Sequence, residues 1–212
     1  MQSIYIKHYR YARLCNKQYR TPSQVKCIKL KSKKGLIIIR GSVTFTDWKR
    51  NTHVKFQDEF NDIHSGFYEY ASSIIDKYDI SNMYTDCEHV TFIGHSLGGA
   101  ASLIIVYLMH LLQSHEKQPS IELVLFGIPK VSGDSFIQTF RKIENVSLHV
   151  YKNGNDLVCQ LPVGFGYSSF HPSLNINSSE SLLPSINDHC MDSYCDSLFS
   201  LAYPTFESEF GE

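Results

Sequence analysis

The chain has 212 residues, which suits one domain with a single core. Hydrophobic residues make up 42% and charged residues 19%, a balance that excludes a wholly disordered chain. The formal net charge is -1, so no global electrostatic case exists for nucleic acid as a partner.

The chain opens Met1-Gln2-Ser3-Ile4-Tyr5-Ile6-Lys7-His8, without the apolar run and small-residue cleavage site of a secretory signal. With an initiating Met, this favours an intracellular, cytoplasmic protein. The six cysteines (Cys15, Cys27, Cys87, Cys159, Cys190 and Cys195) form no CxxC pair, so zinc-finger and thioredoxin-like readings lack support. Free, partly buried thiols are expected, and disulfides only in an exported protein.

Tyr9 to Tyr19 reads as a helix able to pack on a sheet. Val25–Leu30 and Leu36–Ile39 read as neighbouring strands joined by a turn at Lys33-Lys34-Gly35. The lysines at 29, 31, 33 and 34 suit a solvated turn. Residues 64–79 place Phe67, Tyr70, Ala71, Ile74, Ile75 and Tyr78 on one helical face. Val90–Ile93 is a short β-rich run. Gly98–Leu112 then carries no Asp, Glu, Lys or Arg, too short a stretch for an ordinary membrane span and suited to a buried helix. Ile121–Phe126 and Val146–Tyr151 are further strands, with a helix over 133–143 between them. Strands alternating with helices imply an α/β fold, a mostly parallel sheet covered on both faces. The chain divides into residues 1–34, a helix and first strand packing on the core; 35–199, the core; and 200–212, an aperiodic tail. Nothing in it specifies an oligomeric state.

The run Gly94-His95-Ser96-Leu97-Gly98-Gly99 follows a strand and opens a helix. That context turns G-x-S-x-G into a nucleophile elbow, a sharp turn that lifts a serine Oγ above the sheet. Gly94 and Gly98 are expected where a Cβ would clash in the crowded turn. The helix that follows directs its free N–H groups at the reaction centre, so Leu97 N–H can stabilise an oxyanion. An incidental serine in a Gly-rich turn is the bland alternative. It does not account for a full GHSLGG between a β-run and a long apolar helix.

GHSLGGA followed by an apolar helix resembles the class 3, or fungal-type, lipase family of α/β-hydrolases. Ile37-Ile38-Ile39-Arg40-Gly41-Ser42 with Asp47-Trp48 is similar to the family's strand and first oxyanion segment. Ile63-His64-Ser65-Gly66-Phe67 resembles its VHxGF segment, and Leu125-Phe126-Gly127-Ile128-Pro129-Lys130-Val131 its TFGxPRVG segment. The ordered set covers roughly residues 35–199. It implies an α/β-hydrolase fold and a serine ester hydrolase, of lipase or phospholipase A type, working through an acyl-enzyme.

A serine hydroxyl needs a base, and the base an orienting carboxylate, in the chain order Ser, acid, His for this fold. Asp156, in Asn153-Gly154-Asn155-Asp156-Leu157-Val158, resembles the acid of the family's GDxVPxLP segment, with Cys159 where proline is usual. Asp134 is a weaker candidate, better read as a helix cap. Two histidines compete for the base. His171 resembles a non-catalytic YxH, whereas His189, in Asp188-His189-Cys190-Met191-Asp192-Ser193-Tyr194, resembles the catalytic DHxxxY before a C-terminal helix. The resemblance therefore implies a Ser96, Asp156 and His189 triad. Ser42 and Leu97 would form the oxyanion hole, and His95 would be a packing and turn residue of the elbow. His64 reads as a hydrogen-bonded structural residue. His8, His53, His89, His110, His115 and His149 lie in no motif and suit surface or satisfied core positions.

The expected substrate is a lipid ester, met through transient contact with a membrane or lipid surface. No cofactor and no metal is needed for the reaction. The family's lid corresponds to Val43–Asp62, where Trp48 and Phe56 are interspersed with Lys49, Arg50, His53, Lys55, Asp58 and Glu59. So polar a segment suggests partly polar lipids, such as phospholipids or monoacylglycerols, over bulk triglyceride. The competing classes are a catalytically silent lipid-binding or protein-interaction module on the same fold, and a lipid acyltransferase.

Overall fold

The structure, a computed structural model, describes residues 2–42, 56–57, 62–112, 118–163, 166–170, 174–177 and 183–204. Helix α1 (Gln2–Gln18) precedes strands β1 (Val25–Leu30) and β2 (Lys34–Ile39). Short strands β3 (Phe56–Gln57) and β4 (Ile63–His64) pair antiparallel, and α2 (Ser65–Lys77) and α3 (Ile80–Asp86) follow. Then come β5 (His89–His95), α4 (Leu97–Leu112), β6 (Ser120–Phe126), α5 (Asp134–Phe140), β7 (Val146–Lys152), β8 (Leu174–Asn175) and α6 (Met191–Ala202).

Six strands form one sheet in the order β1-β2-β5-β6-β7-β8. The β1–β2 pair is antiparallel and every later pair is parallel, so the expected α/β architecture holds. Alternation along each strand sends residues to opposite faces. Leu36, Ile38, Ile93, Val124, Phe126 and Tyr151 pack with Ala12 and Cys15 of α1 and Tyr194, Cys195 and Leu198 of α6. Ile37, Ile39, Val90, Phe92, Leu123 and Leu125 face the opposite layer, built from α2, α3, α4 and α5. Helix α4 is buried continuously from Gly98 to Met109, as its unbroken apolar composition requires. Among the described residues no helix is long and apolar enough to cross a membrane.

The first turn differs from expectation. It lies at Lys31–Lys33, with Ser32 and Lys33 in the left-handed region at φ 60° and 53°, a twist that suits a hairpin. Lys34 and Gly35 already belong to β2. Gly35 serves packing instead of turning, since a Cβ there would stand 2.8 Å from Met83 Cε and 3.1 Å from Cys87 Sγ on and just beyond α3. Helix α3 was not expected as a separate element. The helical run from residue 64 breaks at Tyr78, whose extended backbone caps α2, and resumes with Ile80, Met83 and Tyr84 buried on one side. Helix α1 begins earlier than Tyr9, and α6 continues to Ala202 into the stretch expected to be aperiodic. Asp134 is an exposed first-turn residue of α5, whose N-cap is Gly133, so it is neither a cap nor part of the cleft described below.

Candidate active site

The site is assembled where β5, β6 and β7 end, the edge at which parallel sheets present ligands. At the end of β5, Ser96 has φ 55°, a left-handed conformation that a non-glycine residue holds only when its surroundings enforce it. Its N–H donates to Phe126 O at 2.9 Å, and its carbonyl accepts from Gly99 and Ala100 at the start of α4. The flanking glycines are spatial necessities. A Cβ on Gly94 would lie 2.6 Å from Gly99 Cα, and one on Gly98 would lie 2.2 Å from Ile39 O. The elbow thus fits only because strand, turn and helix touch backbone to backbone.

Asp156 follows β7 and is fully buried. Its Oδ1 accepts from Val158 N–H at 2.8 Å. Its Oδ2 lies 2.8 Å from His189 Nδ1 and accepts the Tyr194 hydroxyl at 2.7 Å. The Asp156 carboxylate is therefore fixed by three partners, and one of them is the His189 imidazole. His189 sits in a short 3-10 turn, Asn187–His189, immediately before α6, with 13% of its side chain exposed. The loops carrying Asp156 and His189 are tied together. Asn153 Nδ2 donates to Asp188 O at 3.0 Å, Asn155 N–H to Asp188 Oδ2 at 2.8 Å, and Leu157 N–H to Ser185 O at 3.2 Å.

Gly127 makes this packing feasible. Its φ is 56°, and a Cβ would stand 2.7 Å from Asp156 Oδ2, 2.9 Å from Tyr194 Oη and 3.0 Å from His189 Nδ1. Gly127 and Tyr194 both lie within segments quoted from the sequence, yet neither was assigned a role there. A glycine directly after a β-strand was the available signal for the first.

His95 joins the turn at Ser96 to His189. It is buried, and desolvation, with the proximity of His189 second, pushes its pKa well below the usual histidine value, so the ring is neutral. Its Nε2 lies 2.9 Å from the carbonyl of His189 and its Nδ1 lies 2.5 Å from Tyr19 Oη. With Nε2 protonated, the ring donates to that carbonyl and accepts from the phenol. Tyr19 Oη in turn accepts from Gly41 N–H at 2.9 Å. Tyr19 follows α1, so the N-terminal segment reaches the site, a role that sequence reading left open. Arg40, also buried, donates to Gly41 O at 3.0 Å and lies over the Tyr19 ring at 5.7 Å.

A cleft of about 330 Å³ is lined by Ser96, His189, Ser42 and Leu97 together with Val158, Ile186 and Met191 on the apolar side. Asn16 and Asp192 contribute a polar wall, joined to each other at 2.5 Å. Ser42 follows the end of β2 and Leu97 is the first residue of α4. All the residues proposed from sequence for nucleophile, base and oxyanion hole therefore face one cavity, with Asp156 buried behind His189. His64 instead caps α2 by accepting from Gly66 N–H at 3.1 Å. His171, the alternative base, lies outside the described residues, as does the expected lid apart from Phe56, Gln57 and Asp62.

Comparison with known proteins identifies the family and the fold. The chain is 34% identical over 104 residues to phospholipase A1 PLIP1, chloroplastic, of Arabidopsis thaliana, a match covering 44% of this chain and 16% of that protein. It is 29% identical over 100 residues to toxin TseL of Vibrio cholerae, covering 47% of this chain and 15% of that one. The chain thus spans less than a fifth of the length of these curated relatives. A crystal structure of lipase from Rhizopus microsporus var. chinensis superposes with a TM-score of 0.63 at 19% identity, over 91% of this chain and 83% of that one. At that identity the likeness concerns the fold, which is that of the α/β-hydrolases. The family model Lipase (class 3) matches residues 36–165, and the chain belongs to the class 3 lipase family.

Proposed function

We propose that the protein is a serine hydrolase of lipid acyl esters, with Ser96 as nucleophile, His189 as general base and Asp156 as the carboxylate that orients it. The observation that carries this reading is the 2.8 Å hydrogen bond between His189 Nδ1 and the buried Asp156, beside a cleft that His189 and Ser96, held at φ 55°, both line. Ser96 Oγ attacks the ester carbonyl while His189 Nε2 takes its proton. The same imidazolium returns the proton to the departing alcohol, and water releases the acyl group from Ser96 by the reverse sequence. Asp156, bonded to Nδ1, keeps the imidazole in the tautomer that presents Nε2 as acceptor. Leu97 N–H at the start of α4 and Ser42 supply the donors to the oxyanion.

The substrate we infer is a lipid with a polar head, such as a phospholipid or monoacylglycerol. The cleft supports this by combining apolar lining from Leu97, Val158, Ile186 and Met191 with the polar Asn16–Asp192 pair. That one relative is named a phospholipase A1 points the same way. The test is product analysis by mass spectrometry on phospholipid, monoacylglycerol and emulsified triglyceride, with Ser96→Ala as control. Release of fatty acid from the polar lipids by wild type alone is expected. Fastest turnover on long-chain triglyceride would overturn the substrate assignment, and equal release by Ser96→Ala would overturn the mechanism.

A further inference from the structure

Far from the cleft, three residues separated widely in sequence converge on the sheet face covered by α1. His8 comes from α1, Glu122 from β6 and His149 from β7. One ligating atom of each lies within 4.8 Å of the other two. Glu122 pairs in register with Thr91, five residues before Ser96 on β5, so the cluster stands roughly 16 Å along the sheet from the elbow.

The cluster is a built arrangement. A carboxylate between Ile121 and Leu123 in a central strand is costly to bury without strong partners. Glu122 has such partners in Lys7 and Thr91. Lys7 Nζ reaches Oε1 at 2.7 Å from the solvent side, with its side chain 47% exposed, and Thr91 Oγ1 donates to Oε2 at 3.3 Å. His8 is fully buried. Its Nδ1 lies 2.5 Å from Tyr151 Oη, while its Nε2 faces Glu122 Oε1 at 3.5 Å and has no hydrogen-bond partner among the described residues. The His149 ring stands edge-on to it at a centroid distance of 4.7 Å. His149 is half-buried, and its Nε2 lies 3.2 Å from Ser147 Oγ.

We propose that His8, Glu122 and His149 form a binding site for a borderline divalent transition-metal ion, with zinc the best fit, pinning α1 to the sheet. Two imidazoles and one carboxylate are a zinc donor set, whereas magnesium and calcium require oxygen ligands throughout. Zinc bonds of about 2.0–2.1 Å in a tetrahedron place donor atoms about 3.4 Å apart. The His8–Glu122 separation of 3.5 Å already meets this. His149, half-buried on β7, has its donor within 4.8 Å of the other two and needs to close by up to about 1.4 Å. When Nδ1–H of His8 donates to Tyr151 Oη, Nε2 carries the lone pair toward the cluster, and the phenol fixes the ring as outer-sphere partners of zinc-bound histidines do. Lys7, Glu122 and Ser147 border an open depression that reaches one of the three donors, Glu122, from the surface. Lys7 is the competing cation: its ammonium must leave Oε1 when the metal binds.

The test titrates the EDTA-dialysed full chain with zinc chloride by calorimetry and with cobalt chloride by visible absorption, neither of which requires enzymatic activity. Expected are one zinc per chain, a rise of several degrees in melting temperature, and cobalt d–d bands without a thiolate charge-transfer band. His149→Ala and Glu122→Gln should each weaken zinc binding by about tenfold or more. Lys7→Ala, which leaves every ligand in place and retains a test if the ligand variants misfold, should tighten it severalfold. Millimolar or weaker binding, affinity unchanged in His149→Ala, no tightening in Lys7→Ala, or a cobalt–thiolate band would each overturn the proposal.

Discussion

Tyr19 and His95 are 2.5 Å apart, phenol oxygen to Nδ1, and the same phenol oxygen accepts the N–H of Gly41. Three segments meet at this one hydroxyl: the end of the N-terminal helix, the strand end that leads to Ser42, and the elbow residue beside Ser96. Because His95 also bonds the carbonyl of His189, the network spans from Gly41, beside Ser42, to His189.

Tyr19→Phe removes both bonds while leaving the ring in place. Gly41 N–H and His95 Nδ1 then lose their partner, which costs about 1–3 kcal/mol for a poorly solvated group. Urea unfolding should register that loss. The kcat on a soluble ester should fall by about tenfold with KM nearly unchanged, because oxyanion geometry matters in the transition state. A change confined to KM would place Tyr19 in substrate binding instead.

Gly127→Ala tests whether acid and base are held by close packing. The left-handed φ alone costs about 1–2 kcal/mol for a residue with a Cβ. The new methyl would also press on Asp156, Tyr194 and His189 at once. Esterase activity should drop by about a hundredfold or more while far-UV circular dichroism stays native. Near wild-type turnover would show that the ion pair tolerates displacement.

The buried histidines give stability a defined pH dependence. The His95 pKa is lowered well below its ordinary 6.5, first by burial. His64 is lowered too, chiefly by burial. Below 6.5 the unfolded chain therefore binds more protons than the folded one, so stability falls as pH drops from 7 toward 5. Each such group contributes at most about 1.4 kcal/mol per pH unit. Glu122, whose carboxyl is held down at about 2, adds its slope mainly below pH 5, where the unfolded carboxylate takes up a proton and the folded one does not. Denaturant midpoints between pH 7 and 5 should decline, and His95→Gln should flatten the decline. A flat wild-type profile would contradict a neutral buried His95.

The sheet was legible because its strands are short apolar runs and its helices carry a clear period, as with Phe67, Ala71 and Ile74 on α2. The elbow was legible because backbone contact demands glycine at 94 and 98, and sequence displays that demand directly. The β1–β2 turn was misplaced because Gly35 looks like a turn residue, while its glycine is required by Met83 and Cys87 packed above the strand. The roles of Tyr19 and Gly127 were hidden for a related reason. Each depends on partners 22 to 76 residues away or on a three-way contact, which no local pattern records. The His8, Glu122 and His149 cluster has no spacing motif at all, since three separate elements must fold before it exists.

Intact-mass analysis after treatment with a fluorophosphonate probe tests the proposed role of Ser96 as the activated nucleophile. One adduct per folded wild-type chain, located at Ser96 by peptide mapping, and no adduct on Ser96→Ala are expected. Absence of labelling on folded wild type, or labelling that persists in Ser96→Ala, would contradict that role.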